Sequence, residues 1–453
     1  MTKFLLLTFA MMSMITAFYL SWITKGRSWA LSPLFLYVSC SIIFINIGYV
    51  FYFLHYLTES WAADALFSVS LGLFLIAVGG IVGGLMLRTS FIWSRIGYIQ
   101  IREDIPYSLA VSTAFIVFAI VLLYFYFLGY IPILEGLYIL LNNGFKRGLV
   151  NTLRVGRDVY VNPEAVYIPL QGFMEAMRYF GLPIVAVWFL HFYRQRIRRK
   201  MSLIIVVISS VLIVFTGQRW PLMYMFLTII IYWSWTEPCP GHFRNFLIRI
   251  MFLAIIAGGV LSALLGRTLD SGLNTWDVLS FGFSDLWERI FLGNVKIPFV
   301  SYQLFSRHED WLYGWTWLQD LLSYLPGPLP SYPVTFYKLV TGDPRGFTAP
   351  PDFYTEAYIN FGWLGVIVFS IVWGMCLSFF QFYIARKKTG LFRISVLALM
   401  TTLIAFSAIS GVMFLLSGII VGIFIFLLLL VQKLVIKCIA IPRYVSNHSN
   451  KSF

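Results

Sequence analysis

An all-α polytopic membrane protein with about eleven spanning helices is the fold class this sequence predicts, and three observations predict it. Hydrophobic residues make up 60% of the 453-residue chain, charged residues only 11%, and mean hydropathy is +0.83. A water-soluble globule cannot carry that composition. Apolar runs of about 20 residues, the length that crosses a bilayer core of about 30 Å, recur from end to end. Lys and Arg collect in alternate connectors between those runs, the pattern of short loops retained on the cytoplasmic side.

The expected spans are 4–23, 31–54, 63–86, 107–128, 170–192, 202–216, 220–235, 247–265, 354–384, 392–410 and 412–432, with a margin of 10–12 in number. Lys3 before the first run fits a signal peptide, but no small-residue cleavage site follows, and Phe18, Tyr19 and Trp22 suit an uncleaved anchor. Lys25 and Arg27 follow span one, and Arg88, Arg95 and Arg102 follow span three. Arg194, Arg196, Arg198, Arg199 and Lys200 follow span five, Arg244 and Arg249 span seven, and Arg386, Lys387, Lys388 and Arg393 span nine. These connectors and the tail after Lys433 are therefore expected inside, and the loops at about 129–169 and 266–353 outside. The whole chain, 1–453, reads as a single integral membrane domain.

Charge and cysteine usage exclude several functions. The net charge of +14 sits mostly on short loops, where orientation and anionic lipid headgroups account for it, so nucleic-acid binding is not implied. Cys40, Cys239, Cys376 and Cys438 all fall outside the expected outer loops, and five scattered histidines show no metal-ligand spacing. No phosphate-cradling glycine loop for a nucleotide is present. Neither a cofactor nor a metal is expected, and any chemistry should use an activated substrate that arrives through the membrane. Within the spans, Glu175 and Arg178 are the main charges, and three residues apart they read as a local ion pair rather than a proton relay.

The loop 266–353 holds nine of the nineteen carboxylates together with Trp276, Trp287, Trp311, Trp315 and Trp317, too much chemistry for a passive connector. Such aromatics suit either an interfacial cap or sugar rings. Cations cluster where outer loops meet helices. Lys146, Arg147, Arg154 and Arg157 follow Gly129-Tyr-Ile-Pro-Ile-Leu-Glu-Gly136, Arg219 sits in Thr216-Gly-Gln-Arg-Trp220, and Arg267 ends span eight. They would grip either a diphosphate or lipid phosphates. The run Phe347-Thr-Ala-Pro-Pro-Asp-Phe-Tyr-Thr-Glu-Ala-Tyr-Ile-Asn-Phe-Gly-Trp-Leu-Gly365 follows Arg345 and is expected to enter span nine with Asp352 and Glu356 on one face. Acids at a helix start are also favoured by its dipole alone.

Those three strings, with the large outer loop toward the C-terminal third, resemble the O-antigen polymerase family of oligosaccharide repeat-unit polymerases (Wzy type). The resemblance implies a GT-C-related membrane glycosyltransferase working on the outer face of a bacterial cytoplasmic membrane. It would move a glycan from its polyprenyl diphosphate carrier onto a second lipid-linked repeat unit, building O-antigen, capsule or another surface polysaccharide. A chain-length regulator protein is a family expectation. The paired Arg-x10-Gly motifs described for some members are absent at Arg147, Arg154, Arg157, Arg219 and Arg267, so those two-loop roles do not carry over. Charge supplies the site reading instead. Arg219 and Arg267, then Arg345, Arg147, Arg154 and Arg157, would stabilise the leaving diphosphate. Glu356, then Asp352 and His308, would accept the proton of the attacking sugar hydroxyl. Trp311, Trp315, Trp317 and Tyr354 would hold glycan. A ligase onto lipid A core, for which His308 is available, and a flippase for the same lipid-linked sugar are the alternatives.

Overall fold

The computed structural model describes residues 2–25, 31–87, 99–102, 104–129, 131, 134, 171–215, 220–239, 241–249, 252, 256, 284, 288–305, 311–323, 332–342, 350–384, 388–411 and 414–449. Among them it is an all-α bundle. Seven helices are long and apolar enough to span a membrane: Lys3–Thr24, Pro33–His55, Ser60–Met86, Tyr107–Leu128, Phe173–Arg194, Phe353–Ile384 and Leu391–Ser410. Pro221–Thr236 and Gly418–Leu434 are shorter apolar helices, and Arg199–Val214 occupies the expected sixth span. The expected span 247–265 lies largely outside the described residues.

The connectors that charge alternation assigns to one side do meet on one face. Leu31 N–H donates to Ser234 Oγ at 3.2 Å, Trp235 Nε1 donates to the Leu31 carbonyl at 2.8 Å, and Ile99 N–H donates to the Trp235 carbonyl at 2.7 Å. Gln100–Arg102 pairs in parallel with Lys388–Gly390, tying two basic connectors into a short two-stranded sheet. Leu391 N–H then donates to Asp104 Oδ1 at 2.8 Å, and Lys433 Nζ reaches the Asp104 carbonyl at 3.2 Å. Helix lengths of about 20 residues leave the opposite face for the other set of loops.

The closest helix pairing is between Ser60–Met86 and the C-terminal part of Phe353–Ile384. A Cβ at Gly79 would strike the Ile371 carbonyl, one at Gly374 the Ile76 carbonyl, and one at Gly83 would lie 3.0 Å from Met375 Cα. Contacts rise together in both sequences, from Gly72 against Ser370 through Ile76 against Gly374 to Gly80 against Ser378, so the helices are parallel, and glycines four apart at 79 and 83 let the backbones approach, as small residues do inside membranes. Gly79→Val should cost about 1–3 kcal/mol by overpacking. An unchanged thermal midpoint of the detergent-solubilised variant would contradict this packing.

One expectation about span nine is corrected. Hydropathy predicts 354–384 as a single helix descending from the outer loop. In the structure the chain breaks at Gly362, with φ 60 and ψ −149, and reverses. Phe361 and Phe369, about 12 Å apart in a straight helix, bring their ring centroids within 5.3 Å. Phe353 and Trp373, which a straight helix would hold about 30 Å apart, stack at 6.0 Å. Residues 353–361 thus form a re-entrant half-helix lying antiparallel on 363–384. A Cβ at Gly365 would strike the Ala357 carbonyl of the folded-back half. A β-branched or larger residue at 362 is sterically excluded from that backbone region, which explains the glycine.

Candidate functional site

The re-entrant half-helix starts deep in the bundle. Tyr354 packs where a Cβ on Gly72 would lie, and Gly72 is about 18 Å along its helix from Ser60. Residues 351–360 are all buried, the condition under which a helix end is tolerated at membrane depth. Backbone groups at both of its ends find partners. Asp352 Oδ1 accepts from the N–H groups of Tyr354 and Thr355 at 3.0 and 2.9 Å, an N-cap. Asp352 Oδ2 accepts from Tyr49 at 2.6 Å and from the Thr355 hydroxyl at 2.8 Å. At the other end the backbone of residues 312–313 closes the helix: Leu312 N–H donates to the Ile359 carbonyl at 3.1 Å and Tyr313 N–H to the Asn360 carbonyl at 3.0 Å. Gly314 N–H adds the Asn360 side-chain oxygen at 2.9 Å.

Glu356 sits between these two ends, 2% exposed, one turn from Asp352. Thr316, from the segment that precedes the re-entrant helix, donates to its Oε1 at 3.2 Å and accepts from Asn360 Nδ2 at 2.6 Å. Asn360 Nδ2 also donates to the Glu356 carbonyl at 2.9 Å. On the opposite side the carboxylate lies against Gly411, whose φ of 75 ends the Leu391–Ser410 helix; a Cβ there would be 2.5 Å from Oε2. Segments far apart in sequence therefore converge on one carboxylate: the re-entrant helix, the loop at 311–316 and the break at Gly411. Sequence reasoning finds Glu356 but misses Thr316, Asn360 and Gly411, whose roles depend on the chain reversal.

The aromatic candidates divide. Trp311 lays its indole over Gly362 and meets Tyr358 edge-on at 5.3 Å, while Trp317 packs on Phe369 at 4.7 Å, so both hold the reversal in place. Trp315 is 49% exposed, and Tyr313, which sequence reasoning also misses, is 75% exposed with a φ of 44. Both lie within three residues of Thr316, which reaches Glu356. Tyr354 is fully buried, its hydroxyl 2.7 Å from Ser41 Oγ, and its ring serves packing. Asp352 is likewise committed to capping and to Tyr49. His308, Arg147, Arg154, Arg157, Arg219, Arg267 and Arg345 lie outside the described residues.

Arg178, expected to pair locally with Glu175, is fully buried in a π-helical turn, Met177–Gly181. Its guanidinium lies 4.5 Å from the Tyr179 ring centre and 5.4 Å from that of Tyr124, contacts that stabilise a desolvated cation. Among the described residues, the group of His, Cys and carboxylate side chains with metal-ligand proximity is Glu237, Cys239 and His242, far from Glu356 on the face of the basic connectors. No family model matches this chain, and neither a curated protein nor a solved structure matches it.

Proposed function

We propose that this chain is a metal-independent membrane glycosyltransferase with about eleven spans and a GT-C-related plan, polymerising polyprenyl-diphosphate-linked oligosaccharide repeat units. Its site faces outward from a bacterial cytoplasmic membrane. The observation that carries the reading is Glu356, held on a re-entrant half-helix by Thr316 of the large outer loop, at the end of the bundle away from the basic connectors. A buried, oriented carboxylate under a loop bearing exposed Tyr313 and Trp315 suits proton removal from a sugar hydroxyl. Breaking the sugar–oxygen bond adds a further negative charge to the two that the linked diphosphate already carries, and stabilising it is the task proposed for Arg219, Arg267 and Arg345, with Arg147, Arg154 and Arg157 next. Asp352 and His308 remain the reserve candidates for the base. Neither a cofactor nor nucleic acid enters this scheme, and a chain-length regulator is its proposed protein partner.

Deleting the gene in its host and resolving the surface glycan on a gel tests the reading. Loss of a polymerase should remove the length ladder while a single repeat is still exported. Loss of every repeat from the surface, with repeat units retained inside, would favour a flippase. Full-length glycan left on its lipid carrier would favour the ligase.

A further inference from the structure

The segment Glu237-Pro-Cys-Pro-Gly-His242 joins the Trp220–Thr236 helix to the helical residues 241–249 on the face of the basic connectors. From this geometry we propose that Glu237, Cys239 and His242 bind a zinc-class divalent cation, independently of the outer site and of the function proposed for it.

Ligand atoms from all three residues lie within 4.8 Å of one another. His242 Nδ1 is 3.5 Å from Glu237 Oε1. A tetrahedral zinc with bonds of about 2.0–2.3 Å spaces its ligand atoms about 3.3–3.8 Å apart. That edge of the coordination shell is thus already set. Cys239 is exposed and the His242 side chain is 76% exposed, so both turn toward a common point without disturbing the core. Nitrogen, thiolate and carboxylate donors together select a borderline-soft cation over calcium or magnesium. The two anionic donors neutralise the ion, and water completes the fourth position.

The surroundings are built to hold the carboxylate. Glu237 is 6% exposed. Arg194 binds its Oε2 and also donates to Thr236 Oγ1 at 2.9 Å, while Oε1 accepts from the Cys239 backbone N–H at 3.4 Å and faces His242 Nδ1. Ligating carboxylates are commonly oriented by such an outer hydrogen bond. The Arg194 guanidinium lies 4.4 Å from the Trp233 ring centre, and Trp233 stacks on Phe246 at 4.0 Å with 13° between planes. Trp233 precedes the segment and Phe246 follows it, so this stack fixes the two arms that carry Glu237 and His242. The bound ion would clasp the end of one spanning helix to the helix that follows it.

The test uses full-length protein purified without a histidine tag, stripped with chelator, and titrated with zinc chloride alone. One zinc per chain is expected. Cys239→Ser and His242→Ala should each weaken uptake more than about tenfold, and the double variant should abolish it. Because both side chains are exposed, normal gel-filtration behaviour of the variants separates lost ligation from lost folding. Cobalt chloride should give wild type, but not Cys239→Ser, a thiolate-to-cobalt charge-transfer band. Zinc uptake that is absent, or that is the same in the double variant, overturns the proposal.

Discussion

Glu356→Gln should insert and accumulate like wild type, yet lose the glycan ladder in a host lacking the wild-type gene. A positioned general base contributes about 10²–10⁴-fold to rate, and glutamine keeps the size and the Thr316 contact while removing the proton acceptor. Thr316→Val should act more gently, since it removes two hydrogen bonds, one to Glu356 and one from Asn360, each worth about 1 kcal/mol, together roughly a thirtyfold loss. The order matters as much as either number. Thr316 orients Glu356 from across the loop, so valine at 316 should add little on top of Glu356→Gln. A full-length ladder from the Glu356→Gln protein at normal expression would remove Glu356 from the mechanism.

Gly362→Val should collapse both activity and stability with Glu356 untouched. Its φ of 60 and ψ of −149 lie where only glycine is at ease, and a Cβ would sit 2.8 Å from the Trp311 indole. Backbone strain of about 1–3 kcal/mol and overpacking of about 1–3 kcal/mol then add. Gly342 provides the control, having a φ of 68 but, among the described residues, nothing within 4 Å of where a Cβ would lie. Gly342→Val should therefore show strain alone and a smaller fall in thermal midpoint. Equal falls at the two positions would mean that the packing of Trp311 over the reversal contributes nothing.

Much of the fold is legible in the sequence because a bilayer imposes two strong signals, apolar length and basic alternation. Both come from one segment at a time, and the structure's hydrogen bonds among Leu31, Ile99, Trp235, Asp104 and Lys433 agree with the charge pattern. The re-entrant half-helix is not legible. Hydropathy reads 354–384 as continuous, and only the glycines at 362 and 365 carry the reversal, each of which also suits an ordinary helix contact. Its true signal is the density of polar residues in Asp352, Thr355, Glu356 and Asn360, which a lipid-facing helix would not tolerate. Glu356 stands out because a carboxylate near a span is conspicuous. Thr316 and Gly411 do not, since a hydroxyl and a glycine acquire meaning only from what the fold sets beside them. Tyr354 reads as a sugar platform from its type alone, and burial against Gly72 and Ser41 gives it a packing role.

The most direct measurement reconstitutes purified wild-type protein in nanodiscs with single-repeat polyprenyl-diphosphate lipid extracted from the deletion strain, and follows product length by gel and mass spectrometry. A polymerase should yield products lengthened by whole repeat units, with free polyprenyl diphosphate released in step and no added metal required. Intact, unlengthened donor after prolonged incubation with well-folded protein would contradict the proposed function.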